Sequence, residues 1–323
     1  MRKLLLLLGA AVLIAVVGAR AAAADGPMFV TQDGTGTGTA NGSLRYVAVN
    51  TTSGHGTDLV EVSRKGGSVG PALRLSGAWG LPYTSAGAEG LSRDGRTLVL
   101  GRAGIGLSSP SRFLIVNPRR MKIVRTISLD GYFSYDALSP DASTLYLIQY
   151  THGNSQDTSH YIVRAYDMRA HRLIPGKIAD RAEHEKVMAG YAMTRTTSAG
   201  GRWVYTLYQK PSGEPFVHAL DTVGRAAYCI DLPKNHALYN IVLTLGDHGR
   251  TLAVHWRSGR PWLNVAVGSW GISYPGSAFP WAWVGAGIGG GLAIIAAAGA
   301  ALLLRRRRRQ EVEQHAGQEL GLA

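Results

Sequence analysis

A single cysteine in 323 residues, Cys229, excludes an intramolecular disulfide, so burial alone has to hold the fold together. It lies in the alternating stretch AAYCIDL and reads as a small core residue. No cysteine follows the first apolar segment, which excludes a lipobox anchor. Neither a G-x-S-x-G elbow nor an H-E-x-x-H pair is found, so hydrolase chemistry has no positive support. The Gly/Thr run DGTGTGTANGS at 33–43 lacks G-x-G-x-x-G spacing and no helical pattern follows it, so it reads as a flexible loop and not as a phosphate cradle. Acidic side chains are scarce beside basic ones, 21 against 34, for a net charge of +13.

Two apolar segments bracket the rest. Leu4 to Val17 follows Arg2 and Lys3 and precedes the small-residue run Ala21 to Ala24, the plan of a secretory signal peptide with cleavage expected after Ala24. Trp281 to Leu304 carries no charge and, at about 1.5 Å per residue, reaches roughly 36 Å as a helix, enough to span a bilayer. Trp281 and Trp283 suit its outer interface, and Arg305, Arg306, Arg307, Arg308 and Arg309 follow the positive-inside rule. A sorting motif is missing before Trp281, which disfavours cell-wall attachment. The expected organisation is a signal peptide (1–24), an extracytoplasmic domain (25–275), a stalk (276–280), a transmembrane helix (281–304) and a basic cytoplasmic tail (305–323). Within the span, Gly285 with Gly289 and Gly287 with Gly291 form overlapping G-x-x-x-G spacings that permit a homodimer.

Charge has to be divided among these parts. The first segment carries +3 and the tail +2, which leaves +8 for residues 25–280. An exported basic domain without a nucleic-acid-binding motif is expected to meet anionic headgroups or wall polymers, and no nucleic acid.

The exported part is repetitive. LSRDGRTLVLG (91–101), LSPDASTLYLI (138–148), TSAGGRWVYTL (197–207) and LGDHGRTLAVH (245–255) align on a turn followed by a β-rich run. Between them recurs a strand, a polar turn and another strand, as in FLIVNPRRMKIVRTISL from 113 and PFVHALDTVGRAAYCIDL from 215. Asp and Ser bond to local backbone in such turns, and Gly accepts positive φ at little steric cost. Each period of about 50 residues therefore holds four antiparallel strands, the content of one propeller blade.

The paired Ser-Pro-Asp and Ser-Arg-Asp-Gly turns resemble the repeats of bacterial YVTN-type and TolB-type β-propellers. The resemblance implies an all-β propeller over about 28–275. Five blades are expected, near 28–75, 87–129, 133–179, 188–233 and 237–275, with the aspartate turn joining the two innermost strands of each. PMFVT serves as the first inner strand, and N-terminal residues are available to complete the last blade and close the ring.

On the face opposite the aspartate turns, this arrangement gathers Trp79, Tyr83, Tyr132, Tyr135, His152, His160, His184, Glu185 and His236 as candidate ligand-binding residues around a central channel. Aromatics converging on a cavity suit a protein or glycan partner outside the cell. Glu183, His184 and Glu185 are adjacent and do not share a face, so no metal site is assigned; no cofactor or catalytic residue is implied. Lactonase-type propellers belong to the same repeat class, but none of their site motifs matches residue by residue. The reading is a membrane-anchored binding or scaffolding module. A lactonase-type hydrolase and a sensor acting through a membrane partner are its alternatives.

Overall fold

The computed structural model describes residues 28–30, 36–51, 53, 55–102, 109–151, 160–183, 187–235 and 237–275. Both apolar segments, the arginine run and the glycine spacings lie outside this set, as do His152, His184, Glu185 and His236. Among the described residues, no helix is long and apolar enough to cross a membrane.

After the short strand β1 (Met28–Val30), the chain builds five antiparallel sheets in sequence order. The first holds β2 (Thr37–Gly38), β3 (Leu44–Asn50), β4 (Gly56–Ser63) and β5 (Val69–Ser76). The second holds β6 (Trp79–Thr84), β7 (Gly87–Ala88), β8 (Leu98–Arg102), β9 (Ser111–Asn117) and β10 (Lys122–Leu129). The third holds β11 (Tyr132–Leu138), β12 (Thr144–Tyr150), β13 (His160–Asp167) and β14 (Arg172–Leu173), with β15 (Met188–Ala189) paired to β13. The fourth holds β16 (Tyr191–Thr197), β17 (Trp203–Gln209), β18 (Pro215–Asp221) and β19 (Ala226–Asp231). The fifth holds β20 (Ile241–Gly246), β21 (Thr251–Trp256), β22 (Pro261–Ala266) and β23 (Ile272–Ser273). Five meander sheets of this kind are propeller blades.

The turns explain the period. The hydroxyls of Thr39, Ser92 and Ser139 each donate to the Asx side chain two residues on, at 2.7 Å to Asn41, Asp94 and Asp141. Each hydroxyl also accepts the backbone N–H five residues on, from Leu44, Thr97 and Thr144. Ser198 accepts from Trp203 in the same way. The fourth turn residue has positive φ in all five copies: Gly42, Gly95, Ala142, Gly201 and Gly249. TANGS is therefore the first blade's copy of the aspartate turn, with Thr for Ser and Asn for Asp, and residues 39–43 are bonded turn where the sequence suggested a flexible loop.

Burial follows from position in the row of blades. The middle strands β8, β12, β17 and β18 of blades two to four are buried on both faces along most of their length; β18 is buried at all seven residues. In β21, Leu252 and Val254 are buried while Ala253 and His255 are half-exposed, the alternation of a sheet packed on one side. Four interfaces make up the core. Tyr46, Leu59, Trp79 and Leu98 join blades one and two, and Phe113, Ile127, Phe133 and Leu147 join two and three. Tyr146 and Val204, with Tyr161 and Tyr208, join three and four, and Tyr205, Val217, Leu243 and Val254 join four and five. Among the described residues no core cluster joins the fifth blade to the first.

Four expectations are corrected. β1 does not serve the first blade: it pairs with β6, Phe29 opposite Pro82, and Phe29 packs edge-on against Phe113 at 5.8 Å. A bare glycine at 101 leaves room for that ring, which a Cβ would overlap. For the same reason β1 does not complete the last blade, whose four strands all come from 241–273. The second blade begins at Trp79, not 87, and Met188–Ala189 extends the third blade, because its partner is β13.

Candidate functional site

Among the described residues, a hairpin of blade two and an ionic cluster lie between the inner strands of blades two, three and four. β6 leaves its partner β8 after Gly80 and folds with β7 into a small hairpin, Tyr83 opposite Ala88 and Thr84 opposite Gly87. The chain rejoins the blade where the Val99 N–H donates to the Gly90 carbonyl. The hairpin reaches the fourth blade. Ser85 Oγ accepts the Arg195 backbone N–H at 2.9 Å and faces the Thr194 hydroxyl at 3.4 Å.

Behind the hairpin tip lies a buried ionic cluster. Arg195, with 5% of its side chain exposed, has Nε 3.5 Å from Glu89 and Nη2 3.7 Å from Asp136, and also donates to the Asp136 carbonyl at 2.7 Å. Thr84 donates to Glu89 at 3.1 Å and so fixes that carboxylate. Burial pushes the Asp136 carboxyl up to about 6, against the pull of Arg195 and with a further push from Glu89. Burial opposes the charge on Arg195, but the facing Glu89 and Asp136 outweigh it and hold the guanidinium protonated. The cluster joins three blades; Arg195 and Asp136 are buried in it and Glu89 is 19% exposed. Glu89, Asp136 and Arg195 each stand three residues before the turn residue Ser92, Ser139 or Ser198, so the repeat register itself brings them to one level.

The aromatics expected around the channel divide. Trp79 is buried between blades one and two, its Nε1 donating to the Ser76 carbonyl and its ring under Arg102 at 5.5 Å. Tyr135 is buried in the interface of blades two and three, and burial raises its hydroxyl well above the usual range. These two rings are part of the interfaces between blades. Tyr83 lies half-buried in the β6–β7 hairpin, Tyr132 half-buried against the cluster of Tyr150, Tyr161, Tyr208 and Phe216, and His160 half-buried at the start of β13.

Sequence reading missed two exposed rings on the same face. Tyr191 opens β16 and is 39% exposed; Tyr239, in the turn Leu238–Asn240 that leads into β20, is 67% exposed. Both stand at strand ends remote from the aspartate turns, as does the exposed Val187 beside β15. The available signal was an aromatic placed at the mouth of an inner strand.

The His218–Cys229 pair resembles a nucleophile with its base, but its environment works against that role. Cys229 Sγ lies 3.9 Å from His218 Nδ1, and the Cys229 backbone N–H donates to Asp180. Burial, reinforced by Asp180, pushes the thiol up to about 12, while burial and then Arg195 push the imidazole down to about 4. A nucleophilic cysteine needs the opposite arrangement, a thiolate beside a positive group. Among the described residues no three His, Cys, Asp or Glu side chains converge as a metal site.

The sheet order and turn register define the class of protein, a β-propeller. No family model matches the chain, and no curated protein matches it. Similar solved structures include hydrazine synthase of Kuenenia stuttgartiensis at 17% identity and TM-score 0.39, covering 73% of this chain and 75% of that one. The Cps50 (Swd1) β-propeller domain of Myceliophteria thermophila matches at 12% identity and TM-score 0.42 over 72% of this chain and 64% of its own. TolB from Acinetobacter baumannii matches at 10% and 0.42, with 73% of this chain and 54% of TolB aligned.

Proposed function

We propose that this protein is a membrane-anchored extracytoplasmic propeller that binds a partner protein on the face opposite its aspartate turns. One observation supports the binding reading: between the inner strands of blades two, three and four, where a propeller enzyme would hold its substrate, lie the 81–89 hairpin and the Arg195 cluster. Recognition then falls to the rim, where Tyr191, Tyr239 and Val187 offer exposed aromatic and aliphatic surface of the kind that anchors protein interfaces. The membrane part of the reading rests on sequence: the signal-like Leu4–Val17 and the uncharged 281–304 ahead of five arginines.

A photo-reactive amino acid at Tyr191 or Tyr239, in the full chain in its native membrane, tests the site. Discrete cross-linked species from both positions, and none from the exposed Val223 in the turn between β18 and β19, are expected. Cross-links from Val223 alone would overturn it. The anchor is tested separately with protease added from outside, which should destroy the propeller and spare a fragment containing 281–323.

A further inference from the structure

The charge of the exported part is concentrated in one blade. Between Arg93 and Asp130 the chain holds eight Arg and Lys against two Asp, so the second blade supplies six of the eight net positive charges of residues 25–280. The folded blade gathers much of that charge at one corner. Arg93 and Arg96 sit in its aspartate turn, Arg119 and Arg120 in the hairpin between β9 and β10, and Lys122 opens β10. Arg119 reaches back to donate to the Asp94 carbonyl, which ties the two turns together. A cleft of about 780 Å³ opens between this corner and the TANGS turn of blade one, where Arg93, Arg96 and Arg119 outnumber the two carboxylates of its lining, Glu61 and Asp94.

The same corner exposes aliphatic surface. β10 is the outermost strand of its sheet, paired among the described residues with β9 alone, and its register slips between Ile123 and Arg125. Val124 is the extra residue of that bulge. As a result Ile123 and Val124 are exposed at 41% and 60%, flanked by Arg120 and Lys122 on one side and Arg125 on the other. The hairpin that presents them is held in shape: Pro118 starts it, Asn117 Oδ1 accepts the Arg120 N–H at 3.1 Å, and Met121 takes positive φ.

We infer that this corner, the β9–β10 hairpin with the bulged edge of β10, docks the propeller onto an anionic lipid surface, with the arginines on headgroup phosphates and Ile123 and Val124 in the interfacial layer. A soluble polyanion would use the charges alone and leave the aliphatic pair in water, whereas a bilayer engages both. The inference rests on the membrane reading above only in that the anchor brings the corner close to the bilayer; the contact itself needs no span.

The test uses the full chain with Val124→Cys carrying an environment-sensitive fluorophore, and Val69→Cys as the control, since Val69 is 73% exposed on the outer strand of blade one. The half-buried thiol of Cys229, pushed up to about 12, is expected to react far more slowly than the introduced cysteines. The chain is offered phosphatidylcholine vesicles with and without about 30% phosphatidylglycerol. The expected result is blue-shifted emission at 124, quenched by lipid-borne quenchers, with phosphatidylglycerol and not without it, and no change at 69. Replacing Arg119, Arg120 and Lys122 by Gln should weaken the response about 100-fold, at roughly five-fold per cation. No shift at 124, equal shifts at both positions, or a shift retained by the triple Gln variant would overturn the inference. So would the same response to dextran sulfate without lipid, which would assign the corner to a soluble polyanion. Flotation with pure phosphatidylcholine reads the anchor by itself: a chain that floats only with phosphatidylglycerol keeps the docking corner and loses the span.

Discussion

Arg195→Met is the sharpest test of the ionic cluster between blades two, three and four. The substitution keeps much of the side-chain volume and removes the cation facing Glu89 at 3.5 Å and Asp136 at 3.7 Å, together with the bond to the Asp136 carbonyl. Two carboxylates would then share a site with 5% or less exposure around Arg195 and Asp136 and no counter-charge. Removing one partner of a buried ionic cluster costs about 3–5 kcal/mol, and that is the loss expected at about pH 8. The loss has a direction in pH. The Asp136 carboxyl already titrates at about 6 in the folded state, above its ordinary 3.8, and without Arg195 it moves higher. A carboxyl with a raised folded-state value favours folding below its unfolded value, and that contribution is lost as pH rises through the folded one. The deficit of the variant should therefore shrink to about 2 kcal/mol or less near pH 5, where protons neutralise the carboxylates. Urea titration of the full chain, followed by tryptophan fluorescence at both pH values, measures it. Adding Glu89→Gln should recover part of the loss through coupling within the cluster. A loss under about 1 kcal/mol at pH 8, or equal losses at both pH values, would refute the account of the cluster.

Other consequences are as direct. Ala142 holds φ +56°, where four of the five turns use glycine, so Ala142→Gly should stabilise by about 0.5–1 kcal/mol in thermal denaturation, and Gly201→Ala should destabilise by a similar amount. His218 is buried and titrates at about 4, below its ordinary 6.5, so it removes about 3 kcal/mol of stability as pH falls from about 6.5 to 4; His218→Gln should gain on the parent protein by that amount across the same window. At pH 8 the native Cys229 thiol should react with a maleimide about a thousand-fold more slowly than a free cysteine, and at the ordinary rate once urea has unfolded the chain. Gly101→Val should expel β1 from the second blade, because its side chain would occupy the space of the Phe29 ring; new proteolytic cleavage near residue 30 would report it.

Local chemistry and period determined a great deal here. Ser-x-Asp turns followed by Thr-Leu runs dictated both the meander and the number of blades, since a hydroxyl that bonds the backbone five residues on closes the same turn wherever it occurs. The first copy escaped notice because Thr39 and Asn41 do that work inside a Gly/Thr-rich run. Aligning the turns also carries the ionic cluster, since Glu89, Asp136 and Arg195 share one position in the repeat. What alignment could not give is the sign of their environment. Only the tertiary structure decided that the three side chains meet in one cluster, that the 81–89 excursion crosses to the fourth blade, and that Trp79 and Tyr135 are buried walls while Tyr191 and Tyr239 remain exposed. Position along a strand is a local property that sequence period records. Which face of a blade meets a neighbour, and which loop reaches across the ring, depends on contacts between residues about 100 positions apart, as Ser85 and Arg195 are, and such contacts leave no period in the sequence.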